Sequence, residues 1–129
     1  AFNICYEDGF GDELIATAKR STLLANISNM AWYGKSNAMY QQLQQSQARA
    51  MELGRYMVRA TNTGATAIIS PKGTIVAEAQ PDTETVLEGH VKGYIGETPY
   101  MKAGGSTWLI SILAVIGAFL ILIGRKKSE

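Results

Sequence analysis

The pattern of hydrophobic and polar positions divides the chain into short strands, helices and one long apolar segment. Short or alternating apolar runs predict strands, and apolar residues three or four positions apart predict helices. The predicted strands are residues 2–6, 23–28, 56–61, 65–70, 75–79 and 85–91. One predicted helix is residues 10–20. A longer helix, which Ser36 caps, runs to about Arg55, and Gly54 marks where it ends. Strands mixed with helices indicate an α/β layered domain.

The last predicted element is residues 103–124, which carry no charged side chain. As a helix these residues would span roughly 33 Å, close to the hydrocarbon thickness of a bilayer. Trp108 suits the membrane interface at one end, and a basic tail, residues 125–129, follows the other end. A buried core helix is the alternative, and the lack of a polar face argues against it. We therefore expect a domain over residues 1–102 and one transmembrane helix, with the basic tail on the cytoplasmic side.

Length and charge indicate one small domain and give no sign of nucleic-acid binding. The chain has 129 residues and a formal net charge of +1. Nucleic-acid binding usually requires a strongly basic surface, so we expect no nucleic-acid partner. The sequence starts without Met or a signal peptide, inside a predicted strand, and we expect it to be part of a longer protein whose N-terminal region is missing here.

The stretch FNICYED places the single cysteine of the chain at the end of the first predicted strand. One cysteine excludes an internal disulfide, which leaves a metal ligand, a nucleophile or a buried filler residue. Zinc is disfavoured because Cys5 and the distant His90 fall short of four ligands, and we expect no metal or cofactor. A nucleophile on a sharp strand-to-helix turn is presented to substrate, and the N–H of Tyr6 would then stabilise an oxyanion.

A cysteine attacks as its thiolate, which requires a cation or a base nearby. Glu7 and Asp8 would disfavour a thiolate by like charge, and no cation is evident close to Cys5 in the sequence. The only histidine, His90, lies in the alternating stretch LEGHVKG, where an exposed strand histidine is the ordinary interpretation and a Cys–His dyad has little support. From the residues alone, Cys5 is either catalytic or a buried filler.

The segments ICYED, NISNMAWYG, QARAMELGRYMVRATNTGATAIISPKG and TPY, the last before a hydrophobic segment, occur here in a specific order and spacing. In these segments the chain resembles the C-terminal part of bacterial apolipoprotein N-acyltransferases, which are membrane-embedded members of the nitrilase superfamily. The resemblance covers nearly the whole chain. It implies an α/β fold, the C-terminal portion of a nitrilase-like αββα sandwich followed by one transmembrane helix. Soluble nitrilase-type amidases share some of these segments but lack the membrane segment.

The resemblance implies a Glu–Lys–Cys triad in which Cys5 is the nucleophile. The Glu and the Lys would fall upstream of Cys5, outside this chain, so the isolated chain is expected to be inactive. Tyr6 and Glu7 match positions that support the active site, with the N–H of Tyr6 as an oxyanion donor. Trp32 matches an aromatic beside the acyl-binding site; the alternative is a core aromatic that closes its loop. Met30 replaces an acidic residue that the family usually has in this loop, which leaves the role of that position open.

The implied reaction moves an acyl chain from a membrane phospholipid, through a thioester on Cys5, to the N-terminal amine of a diacylglyceryl-cysteine apolipoprotein. The implied partners are the phospholipid donor, the apolipoprotein acceptor and the membrane. The implied location is the bacterial inner membrane, with the catalytic domain on the periplasmic side and the C-terminus in the cytoplasm. Two alternatives stand beside it: a membrane-tethered nitrilase-type amidase, and a non-catalytic membrane-anchored domain.

Overall fold

The computed structural model describes residues 1–34 and 36–127, apart from the side chains of Lys126 and Lys127. The predicted basic tail therefore lies largely outside the described residues. Five strands form one sheet in the order β1-β2-β3-β4-β5. They are β1 Phe2–Ile4, β2 Leu24–Ser28, β3 Met57–Thr61, β4 Ala67–Ile69 and β5 Ile75–Glu78. The helices are α1 Gly11–Ala18, α2 Ala38–Leu53, α3 Pro99–Lys102 and α4 Thr107–Lys127, and short 3₁₀ turns cover Cys5–Gly9 and Ala31–Tyr33.

The sheet is mixed, and its connections explain which strands are parallel. Strands β1, β2 and β3 are parallel, joined through α1 and α2 as two consecutive βαβ units. Strands β4 and β5 are antiparallel additions at the β3 edge, and the tight turn between them contains Gly73 with φ +76°. The α/β prediction is therefore confirmed, and so is the hairpin formed by the last two strands.

One predicted strand is wrong. Residues 85–91 form no strand, although their side chains alternate in polarity. The segment passes across the outer face of the sheet instead of along an edge, and a Cβ at Gly89 would lie 2.5 Å from Ile68 Cδ1. Further along, the N–H of Tyr94 donates to the carbonyl of Thr22 at 3.1 Å, just before β2. A segment that crosses the strands in this way cannot form a ladder with them, so alternation alone was misleading.

The C-terminal end of α2 agrees with the prediction, whereas the predicted N-terminal cap does not form as expected. Gly54 adopts the left-handed conformation at the C-terminus, with φ +62°, as its sequence position indicates. At the other end the helix begins at Ala38 with Asn37 at the capping position, where no side-chain cap is made. The hydroxyl of Ser36 accepts a hydrogen bond from the Ala38 N–H at 3.4 Å, which is weaker than the predicted cap.

The core lies between α1, α2 and one face of the sheet. Leu24, Met57 and Ile69 face each other in one row across β2, β3 and β4, and all three are buried. The helices contribute the other half of the core, namely Leu14, Ile15, Ala18, Leu43, Ala50 and Leu53. The described residues therefore form two layers, with helices on one face of a single sheet.

The opposite face of the sheet is apolar, and at β1 and the end of β2 it is exposed. Phe2 is 77% exposed, Ile4 65% and Ile27 57%, and all three point away from the helices. Apolar faces of this kind normally pack against a second layer. The observation fits the expectation that this chain supplies only part of a sandwich.

Helix α4 projects from the domain. It contains the one helix segment of the described residues that is long and apolar enough to cross a membrane, Thr107–Arg125. Nearly every residue of this segment is exposed, whereas a core helix would be buried. Length and composition are therefore consistent with the predicted membrane span, although the helix begins four residues later than residue 103.

Candidate active site

Cys5 lies on a sharp turn at the carboxyl end of β1, at the edge where α/β sheets usually place their sites. The strand ends at Ile4, and Cys5 adopts φ +52°, a left-handed conformation that is unusual for any residue other than glycine. A 3₁₀ turn, Cys5–Gly9, then leads into α1; we call this turn the elbow. Strained backbone at such a position is a common feature of nucleophiles that a strand-to-helix turn presents.

The two residues after Cys5 help to shape the elbow. Glu7 turns back, and its carboxylate accepts a hydrogen bond from the Ile4 N–H at 2.6 Å. Tyr6 is 67% exposed, and its ring packs edge-on against Phe10 with ring centroids 6.1 Å apart. Tyr6 is the second residue of the 3₁₀ turn, and the first N–H groups of a helical turn have no partner within that turn.

A row of polar side chains lies beneath the elbow. Asn3 on β1, Asn26 on β2 and Arg59 on β3 are register partners across the sheet and face the helices. Each is at most 3% exposed. This row lies next to the apolar row of Leu24 and Met57, so the core changes from apolar to polar toward the carboxyl ends of the strands.

An ion pair between Arg59 and Asp8 is the centre of this polar row. The two side chains are fully buried, and Arg59 Nη1 donates to Asp8 Oδ2 at 3.3 Å. Asp8 also accepts hydrogen bonds from Asn3 and Ser46. Arg59 donates further to Ser46 Oγ at 2.8 Å and to the carbonyl of Ala65 at 3.1 Å. The buried charges are thus both paired and hydrogen-bonded, which is the condition for tolerating them in a core.

Burial shifts both members of the pair toward their neutral forms. Removal from water raises the pKa of the Asp8 carboxyl, while hydrogen bonds from Ser46 and Asn3 and the charge of Arg59 oppose that shift. The same cause lowers the pKa of the Arg59 guanidinium, and the negative charges of Asp8 and of a Cys5 thiolate oppose it. Separation of the pair therefore carries a large free-energy cost, because neither charge is solvated by water.

Gln42 connects this network to the cysteine. Its carbonyl Oε1 accepts a hydrogen bond from Arg59 Nη2, which leaves its Nε2 facing Cys5 Sγ at 3.9 Å. The Cys5 backbone is held as well, because Asn26 Nδ2 donates to the Cys5 carbonyl at 3.1 Å. An amide donor oriented by a guanidinium therefore points at the sulfur, which is partly accessible.

A small cavity of about 180 Å³ opens beside the elbow, and residues from the elbow, α2 and the Ala31–Tyr33 turn share it. Tyr6, Gln42, Met30 and Tyr33 are among its lining residues. Met30 is buried, and its side chain packs so close to Gly64 that a Cβ there would lie 2.7 Å from Met30 Cγ. Met30 thus fills space beneath the loop in place of the acid expected there.

Trp32 lies on the same short turn as Tyr33, and 86% of its surface is exposed. It is therefore not a core aromatic of the described residues. His90 is exposed in the irregular segment that crosses the sheet, and it makes no described hydrogen bond to Cys5. The structure thus brings Cys5, Tyr6 and Glu7 together on the elbow and places the turn that carries Trp32 beside the same cavity.

The buried network was missed at the sequence level, although two signals of it are present. Arg59 lies on the inward side of an alternating strand, between Met57 and Thr61. Gln42 and Ser46 are four residues apart on α2, so both face the core side of the helix. Arg59 thus places a charge at a core position of a strand, and Gln42 and Ser46 place polar groups at core positions of the facing helix. Together these positions indicate a buried network.

Separating the ion pair should destabilise the protein. In the full-length protein, Asp8→Asn or Arg59→Gln should each lower the free energy of unfolding by about 3–5 kcal/mol, because the remaining charge stays buried without its partner. The double variant should lose clearly less than the sum of the two single variants. Denaturant unfolding in detergent, followed by circular dichroism, measures all three losses.

The exposed ion pair of Lys19 and Glu97, 3.2 Å long, provides the control. Lys19→Gln should cost no more than about 1 kcal/mol, since exposed pairs contribute little. If the double variant lost as much free energy of unfolding as the Asp8 and Arg59 single variants combined, the two residues would not be a coupled pair.

Removal of the amide donor should slow Cys5 chemistry at neutral pH. In the full-length protein, Gln42→Leu should reduce the rate of Cys5 alkylation by iodoacetamide roughly tenfold at pH 7, because hydrogen bonds to charged groups contribute about 1.5–3 kcal/mol. Gln44→Leu, at an exposed position of the same helix, is the control. Equal alkylation rates in the Gln42 variant and the unmodified protein would contradict a role of this amide at the sulfur.

Comparison with known proteins places the chain in a family. The family model for carbon-nitrogen hydrolases matches residues 1–100. Solved structures give the same fold: an amidase of the nitrilase superfamily from Nesterenkonia superposes with a TM-score of 0.50 at 21% identity, covering 62% of this chain and 34% of that one. The nitrilase-superfamily protein Nit3 of Saccharomyces cerevisiae gives 0.53 at 20% identity, covering 65% of this chain and 34% of its own.

Closer relatives bear out the resemblance seen in the sequence. A protein of Neisseria meningitidis serogroup B named apolipoprotein N-acyltransferase is 81% identical over all 129 residues, and one of the same name from Chromobacterium violaceum is 52% identical. The chain spans about a quarter of the length of each, 25% in both cases. Because the family model matches residues 1–100, well over half of the chain, this chain belongs to the carbon-nitrogen hydrolase family.

Proposed function

We propose that this chain is part of an apolipoprotein N-acyltransferase and carries its nucleophile, Cys5. The observation that supports this most strongly is the 81% identity over the whole chain to the N. meningitidis protein of that name. The geometry agrees with it, because Cys5 has left-handed backbone, is partly accessible and faces a cavity-lining amide.

In the first step the thiolate of Cys5 attacks the carbonyl carbon of a phospholipid acyl ester. The C–S bond forms, the ester C–O bond breaks, and the glycerol oxygen leaves with the proton that the thiol has lost. The products are an acyl thioester on Cys5 and a lysophospholipid. The N–H of Tyr6 is the proposed donor to the developing oxyanion, and Glu7 holds the elbow through its hydrogen bond to Ile4.

In the second step the α-amino group of a diacylglyceryl-cysteine apolipoprotein attacks the thioester. A C–N bond forms and the C–S bond breaks, and the proton released by the amine restores the thiol. The acyl chain is thereby transferred as an amide. Both substrates are anchored in lipid, so a nucleophile held at a membrane surface meets them in two dimensions, and the apolar helix α4 supplies an anchor.

The general-base Glu and the Lys of the proposed triad would come from sequence upstream of Cys5, and the isolated chain would not complete the reaction. Gln42 and Arg59 do not replace them, because both are committed to the buried network. Their proposed contribution is to position the sulfur of Cys5 through the Gln42 amide. The proposed location is the inner membrane, with the Cys5 domain on the periplasmic side and the C-terminus of α4 in the cytoplasm.

The amidase alternative rests on the carbon-nitrogen hydrolase family itself, whose name describes hydrolysis. It predicts release of ammonia from a small amide without acyl transfer to a lipopeptide. The non-catalytic alternative predicts that Cys5→Ala leaves the activity of the full-length protein intact. The following experiment separates the three proposals.

Full-length protein in phospholipid vesicles that contain a radiolabelled acyl donor should accumulate label on Cys5. The label should be released by hydroxylamine, which cleaves thioesters, and by a synthetic diacylglyceryl-cysteine peptide, which should become labelled in turn. Cys5→Ala should abolish both signals, while its circular dichroism stays unchanged. An unlabelled Cys5 in the unmodified protein would remove the proposal, and ammonia release from a small amide would favour the amidase.

Trp32 is proposed to contact the acyl chain, since it is exposed on a turn beside the elbow cavity. Trp32→Ala should therefore lower the preference of Cys5 acylation for a long-chain over a short-chain donor roughly tenfold, because about 0.8 kcal/mol is lost per methylene no longer buried. Tyr40→Ala, which removes an exposed aromatic from α2, should leave the preference unchanged. An unaltered preference in the Trp32 variant would refute this role.

A further inference from the structure

Residues 103–106 connect the domain to helix α4, and two glycines in this segment have left-handed backbone. Gly104 and Gly105 each have φ +74°. Before them, α3 is fixed to the domain, because Met101 is buried in the core and Thr98 donates to the carbonyl of Glu52. After them, α4 is exposed along its sides. Glycines restrict the backbone least of all residues, so packing alone does not set the direction in which α4 leaves.

One carboxylate bridges this connection. Asp12 accepts a hydrogen bond from the Tyr100 hydroxyl at the end of the domain. It also accepts the Ser106 N–H, at 3.2 Å to Oδ1 and 3.3 Å to Oδ2, and the Ser106 hydroxyl. Asp12 belongs to the first turn of α1, seven residues after Cys5 in the chain. We call Asp12, Tyr100 and Ser106 the latch.

The position of the latch suits a negative charge. Asp12 lies in the first turn of α1, and Ser106 directly precedes α4, so the carboxylate faces the N-terminal ends of two helices. Helix N-termini favour anions, and this adds to the hydrogen bonds. The bonds from Ser106 and Tyr100 lower the pKa of the Asp12 carboxyl, so its stabilising contribution is present above the unfolded pKa and is lost only as the pH falls through the lower folded value.

Gly105 shows how closely the connection fits the carboxylate. A Cβ on Gly105 would lie 2.1 Å from Asp12 Oδ1, which is far inside contact distance. Gly104 has the same φ, but a Cβ there would meet only Thr107 Oγ1, at 3.2 Å. Substitution of either glycine meets the same unfavourable φ, and only substitution of Gly105 also meets Asp12 and, at 3.1 Å, Ile15 Cδ1.

We propose that the latch positions the Cys5 elbow at a fixed height and orientation relative to the membrane, and that its role is to bring Cys5 to lipid-embedded acyl chains. This inference rests on the proposed function, since it concerns the delivery of a phospholipid acyl group to Cys5. An open cavity of about 580 Å³ separates the elbow end at Phe10 from the start of α4 at Trp108 and Leu109. The latch forms one wall of this cavity, so polar contacts rather than apolar packing span the gap.

The test compares two acyl donors on the same full-length protein in phospholipid vesicles. One donor is the bilayer phospholipid, and the other is the water-soluble ester p-nitrophenyl butyrate, which reaches Cys5 without the membrane. Asp12→Ala and Gly105→Ala should each reduce acylation by the phospholipid on the order of tenfold or more, because misplacement by about 1 Å can cost 10²-fold. Acylation by the soluble ester should change less than about twofold, since the chemistry at Cys5 is intact.

Gly104→Ala is the control for backbone strain, and Glu13→Gln is the control for loss of a neighbouring charge. Both variants should be acylated by the two donors at rates close to those of the unmodified protein. If Asp12→Ala does not fold, Ser106→Ala and Tyr100→Phe remove single bonds of the latch and should give smaller losses of the same kind. Equal loss with both donors, or no loss with phospholipid, would overturn the latch. If the unmodified protein accepts the ester but never the phospholipid, the proposed function fails, and the latch fails with it.

Discussion

The buried ion pair between Arg59 and Asp8 is the constraint on which the site depends. It joins β3 to the elbow, and through Ser46 and Gln42 it joins both to α2. Two charges inside a core are tolerated only when every partner is in place, so the pair admits few alternative arrangements of these elements. A left-handed Cys5 is strained, and a rigid support of this kind is what keeps such a residue in its conformation.

The two rows of side chains on the helix-facing side of the sheet have different roles, one in folding and the other in positioning Cys5. The apolar row of Leu24, Met57 and Ile69 packs against α1 and α2 and supplies hydrophobic stabilisation. In the row beside it, Asn26 holds the backbone of Cys5, and Arg59 orients the Gln42 amide that faces the Cys5 sulfur. The change from one row to the next occurs at the carboxyl ends of the parallel strands, where their loops converge.

The parts of this structure that follow from local physics were accessible from the sequence. The order of β1 to β5 with α1 and α2, and the left-handed Gly54, follow from periodicity and from glycine, whereas the first strand was predicted to run to Tyr6 and ends at Ile4. Residues 85–91 show the limit of that reasoning, because alternation does not reveal whether a neighbouring strand edge is available. The network around Arg59 was missed for a related reason: each member is unremarkable alone, and the meaning lies in contacts between residues as far apart as Asp8 and Arg59.

Asp8 and Asp12 are the same residue type in different environments, and their carboxyl groups have different roles. Asp8 is buried, and loss of water raises its pKa, so its charge persists only through its partners; it holds the elbow to the sheet. Asp12, one turn later, is exposed, and hydrogen bonds lower its pKa; it contacts the start of α4. Cys5 therefore lies on a short segment that contacts the domain core through Asp8 and the start of α4 through Asp12. Under the proposed function, in which Cys5 acts on lipid-anchored substrates, both attachments matter, because the position of Cys5 must be defined in the protein and relative to the membrane at once.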